Sequence, residues 1–320
     1  MSFLSSFIRR SSLPFFTMAL NAMTEAVGAP VYCLIVLATL LGYALSPALS
    51  MFSFEDDLNL LKDFGVSTVF ISGLLLAVFG ASTAVGKELE SRTSLTLLSK
   101  PVGRGVFLAA KFAGVVGALV LAVFLFTVAL LLAARQGPPA DIHHPVDWPV
   151  ITGGFGAFLL ALLIALSGSL WFSRPLGALL VYASAGTFSA GFLLPAFFDR
   201  NWRLQPFARG FDFLLAKGSF LALLGVTELC GVAFLLSAIF RRGAILGTIL
   251  FFLGGLLLTG SSRLALPIPN LELFWVGELF YKPEPALPLE YLAQAALYAA
   301  FYSLASLLLA TWVLRRGDVG

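Results

Sequence analysis

Charged residues are scarce in this sequence. Asp, Glu, Lys and Arg together make up 12% of the 320 residues, whereas hydrophobic residues make up 59%. So little charge could not cover the surface of a water-soluble globular domain. A bilayer core roughly 30 Å thick needs about 20 apolar residues per spanning helix, and the sequence contains several runs of this kind. It therefore predicts an all-α, polytopic helical membrane protein with no soluble catalytic module.

Cysteine and histidine are also scarce, and the net charge is small. Cys33 and Cys230 both lie within apolar runs, which indicates buried free thiols and not a disulfide framework. His143 and His144 are adjacent in a proline-rich loop, and neighbouring side chains of an extended chain point to opposite sides. The pair is therefore not expected to form a metal site. The formal net charge of +3 is too small to indicate a nucleic-acid partner.

The apolar runs predict about eight membrane spans, with six as the alternative if one hairpin is re-entrant. The segment before them, residues 1–28, combines Arg9 and Arg10 with large apolar side chains. This mixture predicts an amphipathic interfacial helix, broken or kinked at Pro14. The membrane domain then comprises residues 29–320. Its predicted spans are residues 30–48, 66–85, 106–133, 150–172, 176–197, 219–240, 244–260 and 291–314.

Arginine in short connections indicates which ends of the spans face the cytoplasm, because cytoplasmic loops carry an excess of Lys and Arg. Arg174 lies in one tight connection, Arg241 and Arg242 lie in another, and Arg315 and Arg316 follow the last span. The pattern predicts a multi-pass protein of the cell (inner) membrane with both termini in the cytoplasm.

Two segments that this arrangement places outside are unusual in composition. Residues 198–218 carry four basic residues, which oppose the charge rule, and an interfacial helix among aromatic residues would accommodate them. Residues 261–290 combine prolines with aromatic and acidic residues and predict short re-entrant or interfacial helices on the extracellular side. The four basic residues are Arg200, Arg203, Arg209 and Lys217.

The most structured cytoplasmic connection is residues 87–104, KELESRTSLTLLSKPVGR. Glu88 and Arg92 are one helical turn apart, and leucines including Leu97 and Leu98 give the segment a partly apolar face. Pro101 then favours a turn. A connection that only reversed the chain would need a handful of residues. A solvated charged loop would explain the charges but not the leucines, so the pattern predicts a docking element.

A nucleotide site is not expected in this chain. Residues 80–87, GASTAVGK, look at first like a phosphate-binding loop. Five residues separate Gly80 from Gly86 where that loop has four, and Glu88 occupies the position of the magnesium-binding Ser or Thr. The small residues instead favour close packing of helices.

The motif in residues 87–104 resembles that of ABC-2 type transporter permeases, the membrane subunits of ABC exporters. In that family an acidic pair and a threonine precede Leu-Leu-Ser-x-Pro and a basic residue, and Phe107 and Lys111 continue the likeness. A second likeness is Pro269-Asn-Leu-Glu-Leu-Phe274 before the last span. The terminal Arg-Arg-Gly-Asp and the count of eight spans depart from the family, whose common core has six.

The resemblance implies a type V ABC exporter-like fold and a permease that dimerises with a second copy, as a homodimer or heterodimer. It implies that this chain binds no cofactor and that ATP and Mg²⁺ bind to a separate ABC ATPase subunit. The segment after the second span would be the coupling helix that contacts this partner. The residues implied in that contact are Glu88, Glu90, Arg92, Thr93, Leu97, Leu98, Pro101 and Arg104.

Glu228 supports a different hypothesis, because it lies near the middle of a predicted span. An ionised carboxylate there must pair, take up a proton or face water. A protonated glutamate bonded to a neighbouring helix and a residue of a translocation path are both open interpretations, the second being that of an ion- or proton-coupled carrier. A third hypothesis is a non-transporting membrane assembly or maturation factor, a role that the resemblance also allows.

Overall fold

The computed structural model describes residues 2–50, 57–90, 103–137, 146–240, 269–282 and 287–316. Throughout these ranges the secondary structure is helical, apart from short connections and one isolated antiparallel bridge between Phe198 and Leu204. The described α-helices are α1 (Ser2–Gly28), α2 (Pro30–Ser50), α3 (Asp57–Glu90), α4 (Arg104–Gln136), α5 (Trp148–Phe172), α6 (Leu176–Phe197), α7 (Phe213–Ile239) and α8 (Leu289–Arg316), and two 3₁₀-helices, η1 (Leu271–Phe274) and η2 (Gly277–Tyr281), precede α8.

Six of the described helices, α3 to α8, are long and apolar enough to cross a membrane. They coincide with six of the predicted spans and confirm the all-α, multi-pass membrane class. The predicted span at residues 176–197 has the bounds of α6, Leu176–Phe197. The predicted span at residues 244–260 lies outside the described residues.

Aspartate caps fix the beginnings of two spans. The Asp147 carboxylate accepts a hydrogen bond from Val150 N at 3.3 Å, with Pro149 in the first turn of α5. The Asp212 carboxylate accepts one from Leu214 N at 3.0 Å. This second cap starts α7 at Phe213, six residues before the predicted start of that span at residue 219. Residues 198–212, the other part of the segment predicted to be an interfacial helix, form a series of turns.

The first two helices form a bent pair. Pro14–Gly28 and Pro30–Ser46 are together apolar enough for one further span, and their axes meet at 62°. α1 continues through Pro14, and it packs along α4. Gly114 permits this approach, because a Cβ at that position would collide with the carbonyl oxygen of Ala19. The interfacial location predicted for residues 1–28 remains a prediction.

α4 lies at the centre of the described bundle. It contacts α1, α2, α3, α5, α6, α7 and α8. Tyrosine hydroxyls connect the surrounding helices to backbone carbonyls: Tyr32 donates to Ala118 O at 2.7 Å, and Tyr43 donates to Gly65 O at 2.9 Å. Where no water competes, such bonds supplement van der Waals packing between helices.

The described helices define two ends of the bundle. At the α3–α4 end, where α3 ends and α4 begins, Gly105 lies close to Thr311 of α8. At the opposite end, which we name the α4–α5 end, Lys62 of α3 pairs with Asp212 at 2.7 Å. η1 and η2 also lie at the α4–α5 end, where Phe274 packs on Gly225 of α7. Arg104 and the C-terminal part of α8 therefore share one end, and the cytoplasmic location of that end remains a prediction.

Candidate functional site

Three residues of the predicted coupling helix lie at the α3–α4 end. Glu88 and Glu90 belong to the last turn of α3, and Arg104 is the first residue of α4. The side chains of these three residues lie outside the described part of the chain, as do Arg92, Thr93, Leu97, Leu98 and Pro101 entirely. Their predicted contact with a partner therefore remains a prediction.

Glu228 lies in the interior of α7 and is fully buried, with a relative exposure of 0%. Neither of its carboxylate oxygens has a hydrogen-bond partner within the described residues. The helix face beside it packs on α8: Ser303 contacts Gly231, and its hydroxyl donates to Thr227 O at 3.4 Å. Burying an ionised carboxylate without a partner carries a large free-energy cost.

Aromatic side chains line the α8 side of this carboxylate. Tyr302 lies within electrostatic range of Glu228, and its ring centroid is 6.2 Å from that of Tyr298. Tyr298 is in turn 6.3 Å from Phe274 of η1, and its hydroxyl accepts a hydrogen bond from Asn270 N at 3.0 Å. A row of aromatic rings thus leads from the interior carboxylate to the α4–α5 end, and its two phenol hydroxyls can donate or accept hydrogen bonds.

An ion-pair network at the α4–α5 end was missed by the sequence reasoning. Arg135 Nε donates to Asp147 Oδ2 at 3.0 Å, and Arg200 Nε lies 3.7 Å from the same oxygen. The side chains of Arg135 and Asp147 are almost completely buried. Because the two basic residues share one carboxylate, the cluster carries a net positive charge.

Arg135 uses its whole guanidinium group at this position. One terminal nitrogen donates to Pro195 O, and the other donates to Phe198 O at 2.8 Å. The group also lies over the Phe211 ring, 5.0 Å from its centroid. The side chain therefore connects the end of α4 to the beginning of α5 by an ion pair and to the end of α6 by two hydrogen bonds.

These contacts account for part of the basic cluster predicted on the outside. Arg200 shares the carboxylate of Asp147, and Lys217 donates to Leu287 O at 3.1 Å. Asp212, within the same segment, neutralises Lys62 of α3.

At the opposite end, Lys111 of α4 pairs with Glu25 of α1 at 3.5 Å and lies 5.8 Å from the centroid of the Phe107 ring. Only 11% of the lysine side chain is exposed. A lysine one or two turns inside a span usually extends its ammonium group toward the membrane surface. Here it connects the first helix to the central one.

An apolar cavity of about 440 Å³ lies between α2, α4, α5 and α6. Leucine, alanine and phenylalanine side chains form most of its wall, and Gln136 at the end of α4 adds an amide. The amide oxygen of Gln136 is buried and has no hydrogen-bond partner within the described residues. The volume lies within the range of small-molecule binding sites, about 300–1,000 Å³.

Metal ligands do not cluster in the described part of the chain, where no three His, Cys, Asp or Glu side chains come together. His143 and His144 lie outside the described residues. The prediction about that pair therefore remains a prediction.

The signals for the missed residues were weak but present. Asp147 lies two residues before Pro149, and an aspartate followed by a proline within the first helical turn is typical of an N-cap. Arg135 follows a long apolar run, where a basic residue is ordinarily assigned to the membrane surface. Their pairing requires the chain to return after the loop, and sequence spacing alone does not establish that.

Comparison with known proteins gives no match for this chain among family models, curated proteins or solved structures.

Proposed function

We propose that this chain is the membrane-spanning permease subunit of an ABC transporter that moves its substrate by using ATP hydrolysed on a separate subunit. The observation that carries the proposal is the motif of residues 87–104, with its acidic pair, Leu97-Leu98 and Pro101, at the junction of two long apolar helices. The polytopic helical architecture supports it, because such a permease needs several spans. Export is the direction that the resemblance favours.

The position of the junction supports a mechanical role. Residues 87–104 connect α3 to α4, and both helices are well buried within the bundle. A displacement imposed on the junction would move α4, which contacts the other described α-helices. Because packed helices shift as rigid elements, closure of a partner ATPase on the junction would reorient the spans and alternate access to the substrate.

Co-purification in a mild detergent tests the proposal. The expected result is a complex with a protein that carries a phosphate-binding loop and hydrolyses ATP. The double substitution Leu97→Asp and Leu98→Asp should abolish the complex without preventing membrane insertion, because it places two charges on the apolar face of the predicted docking helix. Retention of the ATPase by this variant would contradict the assigned contact.

A matched control is available at the other end of the bundle. Leu204 and Phe207 lie in the turns between α6 and α7 and are 80% and 61% exposed. Leu204→Asp with Phe207→Asp adds the same two charges to apolar positions, and it should leave the ATPase bound. Loss of the complex in both double variants would indicate a folding defect and not a docking defect.

The burial of Glu228 favours a second candidate function, an ion- or proton-coupled carrier. In that case substrate movement into proteoliposomes would follow a pH gradient, would continue without ATP and would be lost in Glu228→Gln. The permease proposal expects transport that requires the ATPase subunit. Transport by the purified chain alone would favour the carrier.

A further inference from the structure

We propose that the apolar cavity between α2, α4, α5 and α6 binds the alkyl chain of a membrane amphiphile whose neutral hydroxyl head group pairs with the Gln136 amide. This proposal goes beyond the permease function and does not depend on it, because binding is a property of this chain alone. It rests on the wall of the cavity, on the position of its opening, and on the buried amide.

The wall requires an apolar occupant. Its α2 side is formed by residues such as Leu37 and Leu40, and its floor by Leu132 and Phe188. Tyr43 also contributes, but its hydroxyl already donates to Gly65 O at 2.9 Å. Apolar cavities of this kind do not hold ordered water and take up apolar molecules instead. The wall therefore selects hydrocarbon along most of the cavity's length.

The opening lies on the outer surface of the bundle, between α2 and α5. Leu41 of α2 and Phe155 of α5 both line the cavity, and both are also exposed on the outside of the bundle, at 60% and 65%. Phe155 lies on a helix of membrane-spanning length, where an exposed apolar side chain is expected to contact lipid tails. An alkyl chain can therefore enter sideways between α2 and α5 without crossing water.

Gln136 specifies the head group. Its amide oxygen is buried at the α4–α5 end of the cavity without a partner among the described residues, and an unmade bond at a buried polar atom is costly. A ligand hydroxyl would donate to this oxygen. The oxygen and nitrogen of a glutamine amide can exchange places by rotation of the side chain. A hydroxyl can both donate and accept a hydrogen bond, so it fits either orientation of the amide.

The neighbouring charges do not favour an anionic head group. Arg135, adjacent to Gln136, directs its guanidinium away to Asp147, Pro195 O and Phe198 O. Asp147 is likewise engaged by Arg135 and Arg200. The cluster keeps its net positive charge, but Arg135, Asp147 and Arg200 do not line the cavity. The amide of Gln136 does line it, and this amide matches a neutral hydroxyl.

Photolabelling of the purified full chain in nanodiscs tests the site, with hexadecanol that carries a diazirine on its chain as the probe. We expect saturable labelling of peptides from α2, α4 and α5, and competition by unmodified hexadecanol. Labelling that does not saturate and spreads over the lipid-facing helices would overturn the proposal, because it would reflect partition into the bilayer only.

A pair of glycines on α5 provides a matched test. A Cβ at Gly154 meets only Leu132 Cδ1 at 4.0 Å, so Gly154→Leu can place its side chain in the cavity and should reduce labelling at least about 5-fold. Gly156 has nothing within 4 Å and does not line the cavity, so Gly156→Leu should label like the wild type. Equal labelling of the two variants would overturn the proposal.

Two further measurements keep the test decisive. If Gly154→Leu does not elute as a monodisperse protein, Ala133→Leu fills the same cavity from α4.

The wild type should bind hexadecanol about 3- to 10-fold more tightly than its methyl ether, the range of one neutral hydrogen bond. Gln136→Leu should remove this preference. A preference that persists in Gln136→Leu would exclude the assigned role of the amide.

Discussion

The Nε atom of Arg135 lies 3.0 Å from Oδ2 of Asp147, and the exposed fractions of the two side chains are 5% and 1%. This pair joins the end of α4 to the start of α5 across a loop that begins and ends at the same side of the bundle. Because the pair is buried, breaking it should cost more unfolding free energy than breaking an ion pair nearer the surface.

Removing the charge of Asp147 should therefore destabilise the protein strongly. Asp147→Asn keeps the helix cap, because asparagine is as good an N-cap as aspartate, but it leaves the Arg135 guanidinium buried without its carboxylate. We expect a loss of about 3–5 kcal/mol of unfolding free energy, the cost of breaking a buried pair. The shift in melting temperature in detergent, monitored by size-exclusion chromatography of heated samples, measures the change.

Asp212→Asn is the control for this prediction. Asp212 also caps a helix and also pairs with a cation, Lys62, but the exposed fractions of the two side chains are 22% for Lys62 and 34% for Asp212. Its loss should cost no more than about 1 kcal/mol. Equal effects of the two substitutions would show that the burial of the Arg135 pair adds no stability.

The packing of α5 against α6 should be sensitive to a single methyl group. A Cβ at Gly191 would collide with the carbonyl oxygen of Gly153, whereas a Cβ at Gly186, on the same helix, meets nothing within 4 Å. Gly191→Ala should thus destabilise by about 1–3 kcal/mol through overpacking. Gly186→Ala should be neutral or slightly stabilising, since alanine is the better helix former. The order of their melting temperatures in detergent checks this.

Replacing Glu228 by an apolar residue of similar length should stabilise the fold. Methionine is unbranched and flexible, so Glu228→Met fills the same space and removes a buried carboxyl that has no hydrogen-bond partner within the described residues. We expect a higher melting temperature than the wild type, measured by the same detergent assay. Leu224→Met, on the same helix, should change it little, because such swaps usually cost less than about 1.5 kcal/mol. A lower melting temperature in Glu228→Met would indicate a stabilising partner for the carboxylate.

The predicted orientation can be checked with single cysteines in a background of Cys33→Ala and Cys230→Ala. Leu204→Cys, in the turns before α7, should react with a membrane-impermeant maleimide added to intact cells. Ser173→Cys, in the connection between α5 and α6, should react only after the cells are permeabilised. The reverse pattern would place both termini outside, because these two positions lie at opposite ends of α6.

Much of the helical layout could be predicted from the sequence, because each span carries its own signal. The bounds of α6 follow from apolar residues between Pro175 and the aromatic pair Phe197-Phe198. Glu228 could be singled out for the same reason, since a carboxylate within an apolar run is conspicuous without any knowledge of its neighbours. Its lack of a hydrogen-bond partner within the described residues required the structure.

The features that sequence reasoning missed depend on contacts between distant segments. The early start of α7 follows from the cap at Asp212, a local signal that the prediction of an interfacial helix over residues 198–218 did not include. Arg135 and Asp147 are individually unremarkable at span ends. The role of Arg135 comes from its pairing with Asp147 and from its bonds to the carbonyl oxygens of Pro195 and Phe198, which lie about 60 residues further along the chain. The cavity beside Gln136 likewise exists only where four helices meet.

The central position of α4 has a consequence for biogenesis. α1, α2 and α3 are synthesised before it, whereas α5, α6, α7 and α8 emerge from the ribosome after it. Its packing surface is therefore complete only when the last helix has entered the membrane, and until then part of α4 must be accommodated by lipid. α4 contains the most apolar 18-residue stretch of the six membrane-length helices, which suits a segment that must remain in contact with lipid until the later helices are inserted.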